Sequence, residues 1–296
     1  MDNWAPAPGF TFVQPGLRET HDMPRQLACG RHTFDLSRPL VMGILNVTPD
    51  SFSDGGRYFD AARALDHARR MVVDGADLID IGGESTRPGA VPVAEAEELA
   101  RVVGITGTLA GEGVAVSVDT RKPAVMQAAI AAGAAMINDV SALTSPGALE
   151  ACAQAGAGVC LMHMRGDPPS MQHAPAYADV VLEVRDFLLT RADACIAGGI
   201  PRGCIVLDPG FGFGKTLAHN LQLLRGLPEL AAVGYPVMAG LSRKSSLGLI
   251  TGRTADERLP ASLAAALAAV ARGASIVRVH DVRETVDALK VWRAIG

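Results

Sequence analysis

A series of short apolar runs in this chain each ends on a polar residue. They end at Asn46, Asp80, Asp119, Asn138, His163 and Asp208, at Ser242-Arg243-Lys244, and at Arg278 with His280. These types divide into two chemistries. Carboxylates and amides at 80, 119, 138 and 208 can receive or exchange hydrogen bonds with a polar heterocycle edge. The cations at 244, 278 and 280 can hold a phosphate or pyrophosphate. Arg278 and His280 are two apart in an apolar run, so on a strand both point one way while Val277 and Val279 point the other. An inward arginine needs a counter-charge, because burying an unpaired guanidinium is expensive. Two partners meet that need: an interior aspartate, or an anionic group of a substrate. Asp119 likewise has a second use, since it precedes Thr120 and can cap the following helix.

The elements that must position these residues are legible as a recurrence. DGADLIDI (74–81), AGAAMIND (132–139), AGAGVCLMH (155–163) and RGASIVRVH (272–280) each place Gly and Ala before a short apolar run. Glycine ends a helix in the left-handed conformation, and the run then enters a buried strand. With the looser copies, eight strands are expected near 40–46, 77–81, 114–119, 135–138, 158–162, 204–207, 236–239 and 275–279. Helical patterns fall between them. Asp60 is expected to cap a helix with Leu65, Ala68 and Val72 on its apolar face. Asp281 with Glu284 resembles a capping box ahead of Val282, Val286 and Leu289. Eight strand–helix alternations predict an α/β fold, a (β/α)₈ TIM barrel, whose chemistry lies at the C-terminal strand ends. An open doubly wound sheet would usually carry a glycine-rich fingerprint after its first strand, and Asn46-Val-Thr-Pro-Asp is not one. Residues 1–26 read as a proline-containing extension and 27–296 as one barrel domain. Leu27-Ala28 and Thr33-Phe34 flank Gly30 as a short hairpin ahead of the barrel.

Composition narrows the class. Hydrophobic residues are 49% and aromatics 4%, so the core must be built from Ala, Val, Leu and Ile, as in parallel strands sheathed by helices. A net charge of −4 gives no reason to expect nucleic acid or an anionic membrane as partner. The cysteines at 29, 152, 160, 195 and 204 form no CxxC pair, and their odd number argues against a disulfide framework. The first residues lack a basic-then-apolar leader pattern, and no apolar run reaches the ~18 residues of a membrane span. A cytoplasmic protein is therefore expected.

Three further segments bear on function. DPGFGFGKT (208–216) fails the P-loop pattern, which needs Gly where Pro209 stands, and remains a flexible glycine loop starting from an acidic residue. VTPDSFSDGGRY (47–58) and GGESTRPGAVPV (82–93) are long enough to be functional lids or solvated loops. His163, His173, His219 and His280 lack metal-ligand spacing. A magnesium ion carried by a pyrophosphate and touching one oxygen, such as that of Asn46, is compatible with the sequence.

These motifs are specific when taken together. ILNVTPDSFSDGG (44–56) and IDIGGESTRPGA (79–90) resemble the two signatures of the dihydropteroate synthase family. The resemblance runs in order through SVDTRKPAV (117–125), INDVSAL (137–143), LMHMRGDPPSMQ (161–172), DPGFGFGKTLAHN (208–220), GLSRKS (240–245) and VRVHDV (277–282), covering about residues 27–296. It departs from the family at Gly104, where proline is common, and in the variable segments around Arg121 and 166–169, but at no motif residue.

The resemblance implies condensation of 6-hydroxymethyl-7,8-dihydropterin pyrophosphate with p-aminobenzoate to 7,8-dihydropteroate and pyrophosphate, in folate biosynthesis. It implies Asn46 as the contact to Mg2+ on the pyrophosphate, and Arg278 and His280 as the pyrophosphate grip. Asp119, Asn138, Asp208 and Lys244 would ring the pterin, and Met162 and Phe213 would help wall the pterin and aminobenzoate pockets. Phe52, Thr86, Arg87, Pro88 and Ser245 would shape the p-aminobenzoate pocket. Asp119, Lys244, Arg278 and His280 would act in catalysis. A homodimer through the later helices and susceptibility to sulfonamides, which mimic p-aminobenzoate, are also implied. A related pterin-binding methyltransferase barrel would need a corrinoid partner, and the retained Lys244, Arg278 and His280 disfavour it. A non-catalytic pterin-binding paralogue is the other alternative.

Overall fold

A computed structural model describes residues 25–47, 57–85, 91–153, 156–167, 171–172 and 174–295. Strands β1 (Gln26–Cys29) and β2 (His32–Asp35) form an antiparallel hairpin with Leu27 opposite Phe34 and Ala28 opposite Thr33, as expected. Eight parallel strands follow: β3 (Leu40–Asn46), β4 (Leu78–Gly82), β5 (Val116–Asp119), β6 (Met136–Asp139), β7 (Gly158–Met162), β8 (Ile205–Asp208), β9 (Met238–Ala239) and β10 (Ile276–Val279). Their order is β8-β7-β6-β5-β4-β3-β10-β9. The β8 and β9 ends meet through a parallel bridge, Leu207 to Val237, with the Leu207 N–H donating to the Pro236 carbonyl at 2.9 Å. The sheet is thus an almost closed (β/α)₈ barrel. Strand β9 is shorter than the expected 236–239 because Pro236 has no N–H to give to a ladder.

Side-chain alternation sorts two cores. Ile79, Ile81, Val116, Val118, Ile137, Val159, Leu161, Ile205, Leu207, Val277 and Val279 face the helices and join the large outer cluster. Leu40, Met42, Leu78, Met136, Cys160, Val206, Met238 and Ile276 fill the barrel interior together with Leu27 and Cys29 of the hairpin, which plugs the end away from the site. On β3, β4, β5, β6, β8 and β10, polar residues of the same inward parity stand at the C-terminal end: Asn46, Asp80, Asp119, Asn138, Asp208 and Arg278. The junction glycines Gly75, Gly133, Gly156 and Gly273 all adopt positive φ, as helix-to-strand turns require.

Two helix expectations are corrected. Helix α1 spans Arg57–Val73, so Asp60 lies inside it instead of capping it. Its buried face is Ala64, Ala68 and Met71, with Leu65 half-buried, whereas Val72 is exposed, because 64, 68 and 71 share the helical stripe and 72 falls beyond its edge. In the C-terminal helix, Val282–Ile295, Val282 and Leu289 are buried and Val286 packs against them, as expected. Asp281 just ahead of it gives both carboxylate oxygens to Arg243. No helix among the described residues is long and apolar enough to cross a membrane.

All five cysteines are buried and unpaired. Burial pushes the Cys29 and Cys152 thiols up to about 12 and Cys195 to about 11. A thiol reagent such as Ellman's reagent at pH 8 is therefore expected to find almost no reactive thiol in native protein and all five after denaturation. Rapid native labelling would contradict the packing of the hairpin and barrel interior.

Candidate active site

The C-terminal rim assembles around Arg278. Its Nε donates to Asp80 Oδ2 at 2.6 Å and its terminal nitrogen to Asp119 Oδ2 at 2.9 Å. Asn138 donates to the same Asp80 oxygen at 3.1 Å. Strand register explains the meeting: Asp119 lies beside Asn138 and beside Gly82, which itself lies beside Asn46. The two-partner alternative for Arg278 is thereby decided in part: interior aspartates supply its counter-charge. Burial opposes the Arg278 charge, but Asp80 and then Asp119 hold the guanidinium above its ordinary value. The Asp119 carboxyl is raised, by burial first; Arg278 pulls the other way and Asp80 adds to the rise.

Asp80, expected as one of four acceptors for a heterocycle edge, is instead fully buried, its Oδ2 taken up by Arg278 and Asn138. The inward parity of Leu78 and Asp80 on one strand was the signal available, and pairing it with Arg278 would have found the contact.

A strained turn follows Asn138 and Asp139 at the end of β6. Ala142 and Leu143 are both buried and both left-handed, with φ 53° and 55°. Such non-glycine residues persist only where surrounding contacts hold them. Here Asp139 accepts from the Ser141 and Leu143 N–H groups at 2.7 and 2.8 Å, and Arg191 donates to the Ala142 and Leu143 carbonyls at 2.9 and 3.0 Å.

Asp208 ends β8, beside Met162 at the end of β7. Its Oδ1 accepts from the Gly210 N–H at 2.7 Å. Burial raises the Asp208 carboxyl, against the pull of that N–H and of Lys244, Arg278 and Lys215. Lys244 Nζ stands 4.1 Å above the Phe213 ring. His280 Nδ1 lies 3.0 Å from Ser242 Oγ. Arg243, left-handed at φ 56°, turns outward to Asp281 and so leaves Ser242 and Lys244 for the rim. Ser245 is the exposed first residue of the helix Ser245–Thr251, next to Lys244. Asn46, Met162, Phe213, Asp119, Asn138, Asp208, Lys244, Arg278 and His280 therefore all lie on strand ends or on the loops leaving them. The p-aminobenzoate expectations at Phe52, Thr86, Arg87 and Pro88 lie outside the described residues.

Two expectations change. His163 follows Met162 and has outward parity, so it is not a rim residue. It is buried against Phe187, edge-on at 5.0 Å, and meets Lys215 instead. The 209–214 segment is also not a free flexible loop. A side chain at Gly210 would collide with the His163 carbonyl and one at Gly214 with the Arg165 carbonyl, at φ of 67° and 63°. The glycines serve backbone-to-backbone packing here. Gly210→Ala is expected to cost more than about 2 kcal/mol of stability, since it combines a backbone clash with left-handed strain. Chemical denaturation would check this, and an unchanged midpoint would contradict it.

Among the described residues, no group of three or more His, Cys, Asp or Glu is placed to hold a metal ion by itself. Asn46, half-buried at the end of β3 with its Oδ1 beside Gly82, offers one hard oxygen. That fits magnesium brought in on a phosphate, which keeps most of its other ligands as water and phosphate oxygens.

A barrel whose open rim pairs acid and amide groups with cations defines an enzyme of polar, anion-bearing small molecules. Residues 42–280 match the family described as pterin binding enzyme. Within it, the chain is 56% identical to the dihydropteroate synthase of Neisseria meningitidis serogroup C over 272 residues, covering 90% of this chain and 96% of that one. The structure of the Xanthomonas albilineans dihydropteroate synthase with 4-aminobenzoic acid superposes with a TM-score of 0.87 at 53% identity, covering 92% of this chain and 98% of that one. That of the Burkholderia cenocepacia enzyme complexed with 7,8-dihydropteroate gives 0.85 at 52% identity, covering 92% and 97%. The chain belongs to the dihydropteroate synthase family.

Proposed function

We propose that this rim condenses 6-hydroxymethyl-7,8-dihydropterin pyrophosphate with p-aminobenzoate, the barrel end itself binding the pterin. The observation that carries the reading is the Arg278–Asp80–Asp119–Asn138 cluster beside Asp208. It gives inward acceptors for a heterocycle next to a half-buried cation for its leaving group. Pterin presents a ring N–H and an exocyclic amine side by side, and the Asp208 carboxylate suits that pair. Asn138 both donates and accepts at a neighbouring edge. Phe213 and Met162 wall the ring, and Lys244 spans from Phe213 toward Asp208.

The reaction breaks the bond from the pterin methylene carbon to a pyrophosphate oxygen and forms one from that carbon to the aminobenzoate nitrogen, which then loses a proton. An aromatic amine is a weak nucleophile, so stabilising the leaving group dominates. Arg278 and His280 face the departing pyrophosphate and stabilise its growing charge. When bound, Mg2+ adds charge neutralisation on the pyrophosphate, with Asn46 as its protein contact. Asp119, adjacent to Arg278, offers a negative field to positive charge on the methylene. Phe52, Thr86, Arg87, Pro88 and Ser245 are the proposed p-aminobenzoate contacts, and sulfonamides would compete there.

The enzyme is proposed to work in the cytoplasm, as a homodimer. Leu249 and Ile250 on the Ser245–Thr251 helix and Val291 and Ile295 on the C-terminal helix are exposed apolar side chains that a dimer through the later helices would cover. Leu249→Glu is expected to shift sedimentation from dimer to monomer. A wild-type monomer at micromolar concentration would contradict this.

Incorporation of labelled p-aminobenzoate tests the function. Product from pterin pyrophosphate and magnesium, with no corrinoid added, is expected. Pterin binding without product would favour a non-catalytic binder.

A further inference from the structure

The glycine loop ends in a buried lysine that the site assignments leave unused. Lys215 is 3% exposed. Its Nζ lies 3.0 Å from the Gly210 carbonyl, 3.0 Å from the Phe213 carbonyl, 3.3 Å from the His163 carbonyl and 3.0 Å from His163 Nδ1. A lysine ammonium has three donors and no acceptor, so four acceptors around one nitrogen use the protonated form fully. His163 is suited to its part. Burial pushes its imidazole down to about 3, leaving it neutral, so Nδ1 can accept when the proton sits on Nε2. Burial also pushes the Lys215 amine down, against Asp208, to about 7, and the surrounding carbonyl oxygens favour the charged form.

The two loop carbonyls it grips are not arbitrary. Gly210 is the residue whose N–H is bound by Asp208, and Phe213 carries the ring under Lys244. The carbonyls between and after them are held separately, Gly212 by Gln172 at 2.5 Å and Gly214 by Tyr177 at 2.9 Å. The Gly212 N–H donates to Asn220 at 2.7 Å. One buried ammonium thus links the orientation of the Asp208 carboxylate to the position of the Phe213 wall.

We propose that Lys215 is a positioning residue for pterin recognition: it touches no ligand, but sets Asp208 and the Phe213–Lys244 pair through the backbone of residues 210–213. The inference rests on the proposed reading of Asp208 and Phe213 as pterin contacts. The hydrogen bonds of Lys215 go to His163, Gly210 and Phe213, whereas Arg278 is held by Asp80 and Asp119, so the pyrophosphate grip is expected to depend on Lys215 far less than the pterin contacts do.

The test uses full-length Lys215→Met and Lys215→Gln, with folding checked by circular dichroism. Binding of 6-hydroxymethylpterin and of magnesium pyrophosphate is measured separately by calorimetry. Lys215→Met strands two loop carbonyls, so its pterin Kd is expected to rise roughly tenfold or more. Its pyrophosphate Kd should stay within about twofold, as for a distant independent site. Lys215→Gln keeps donors for those carbonyls and should lose less. An unchanged pterin Kd in a folded variant overturns the proposal, as does a parallel rise in both constants, which a merely structural role would give. If Lys215→Met does not fold, Lys215→Gln carries the same comparison; failure of both to fold overturns a role specific to recognition. Wild-type protein that binds no pterin would instead sink the reading of the site.

Discussion

Arg278→Ala is expected to weaken magnesium pyrophosphate binding by about two orders of magnitude or more, and bare pterin binding far less. Losing one partner of a buried charge pair costs on the order of 3–5 kcal/mol, because the remaining charge is left without compensation. Here two carboxylates are left, Asp80 and Asp119, so stability should fall as well. The pH dependence of that fall has a definite sign. The folded-state value of Asp119 already lies above the unfolded one through burial, and removing Arg278 takes away the main opposing influence. A carboxyl raised in the folded state binds its proton more tightly there. Its cost to stability is therefore absent below the unfolded value of about 3.9 and grows as pH rises through the folded value. The variant should be closer to wild type at pH 5 than at pH 8 in denaturant titrations. Equal losses of pterin and pyrophosphate affinity, or a greater instability at pH 5, would contradict the assigned role.

Asp208→Asn should remove pterin recognition, with affinity falling by about two to three orders of magnitude. The amide keeps the shape but replaces one acceptor oxygen with a donor, which then faces an N–H of the ligand. The fold should tolerate the change. A carboxyl raised by burial gains from neutralisation, and the remaining amide oxygen can still accept from Gly210 at the position of Oδ1. Pyrophosphate affinity should change little. Calorimetry on the two ligands separates these outcomes, and an unchanged pterin Kd would remove Asp208 from the site.

The barrel was readable because its signals are local. Glycine turns before apolar runs at 75, 133, 156 and 273 place four strands, and the turn at Gly30 places the hairpin. Parity alone sends Arg278 inward and Val277 and Val279 outward. The same rule, applied one residue on from Met162, would have removed His163 from the rim. What escaped was non-local. Parity and the need for a counter-charge point to an interior aspartate for Arg278, but that two of them share its guanidinium depends on residues 198 and 159 positions away, which spacing alone does not reveal. Lys215 looks in sequence like the remnant of a failed phosphate loop, and only the approach of 209–214 to the end of β7 gives its amine four acceptors. The helix face at Leu65, Ala68 and Val72 failed at its last member because an assumed start at Asp60 left the stripe's edge unfixed.

The most direct measurement is a crystal structure of this chain soaked with 6-hydroxymethylpterin and magnesium pyrophosphate. The bicyclic ring is expected at the C-terminal end of the strands, its N–H edge on Asp208, and the diphosphate against Arg278 and His280. Density for the ring elsewhere, or a pterin whose N–H edge meets neither Asp208 nor Asn138, would contradict it.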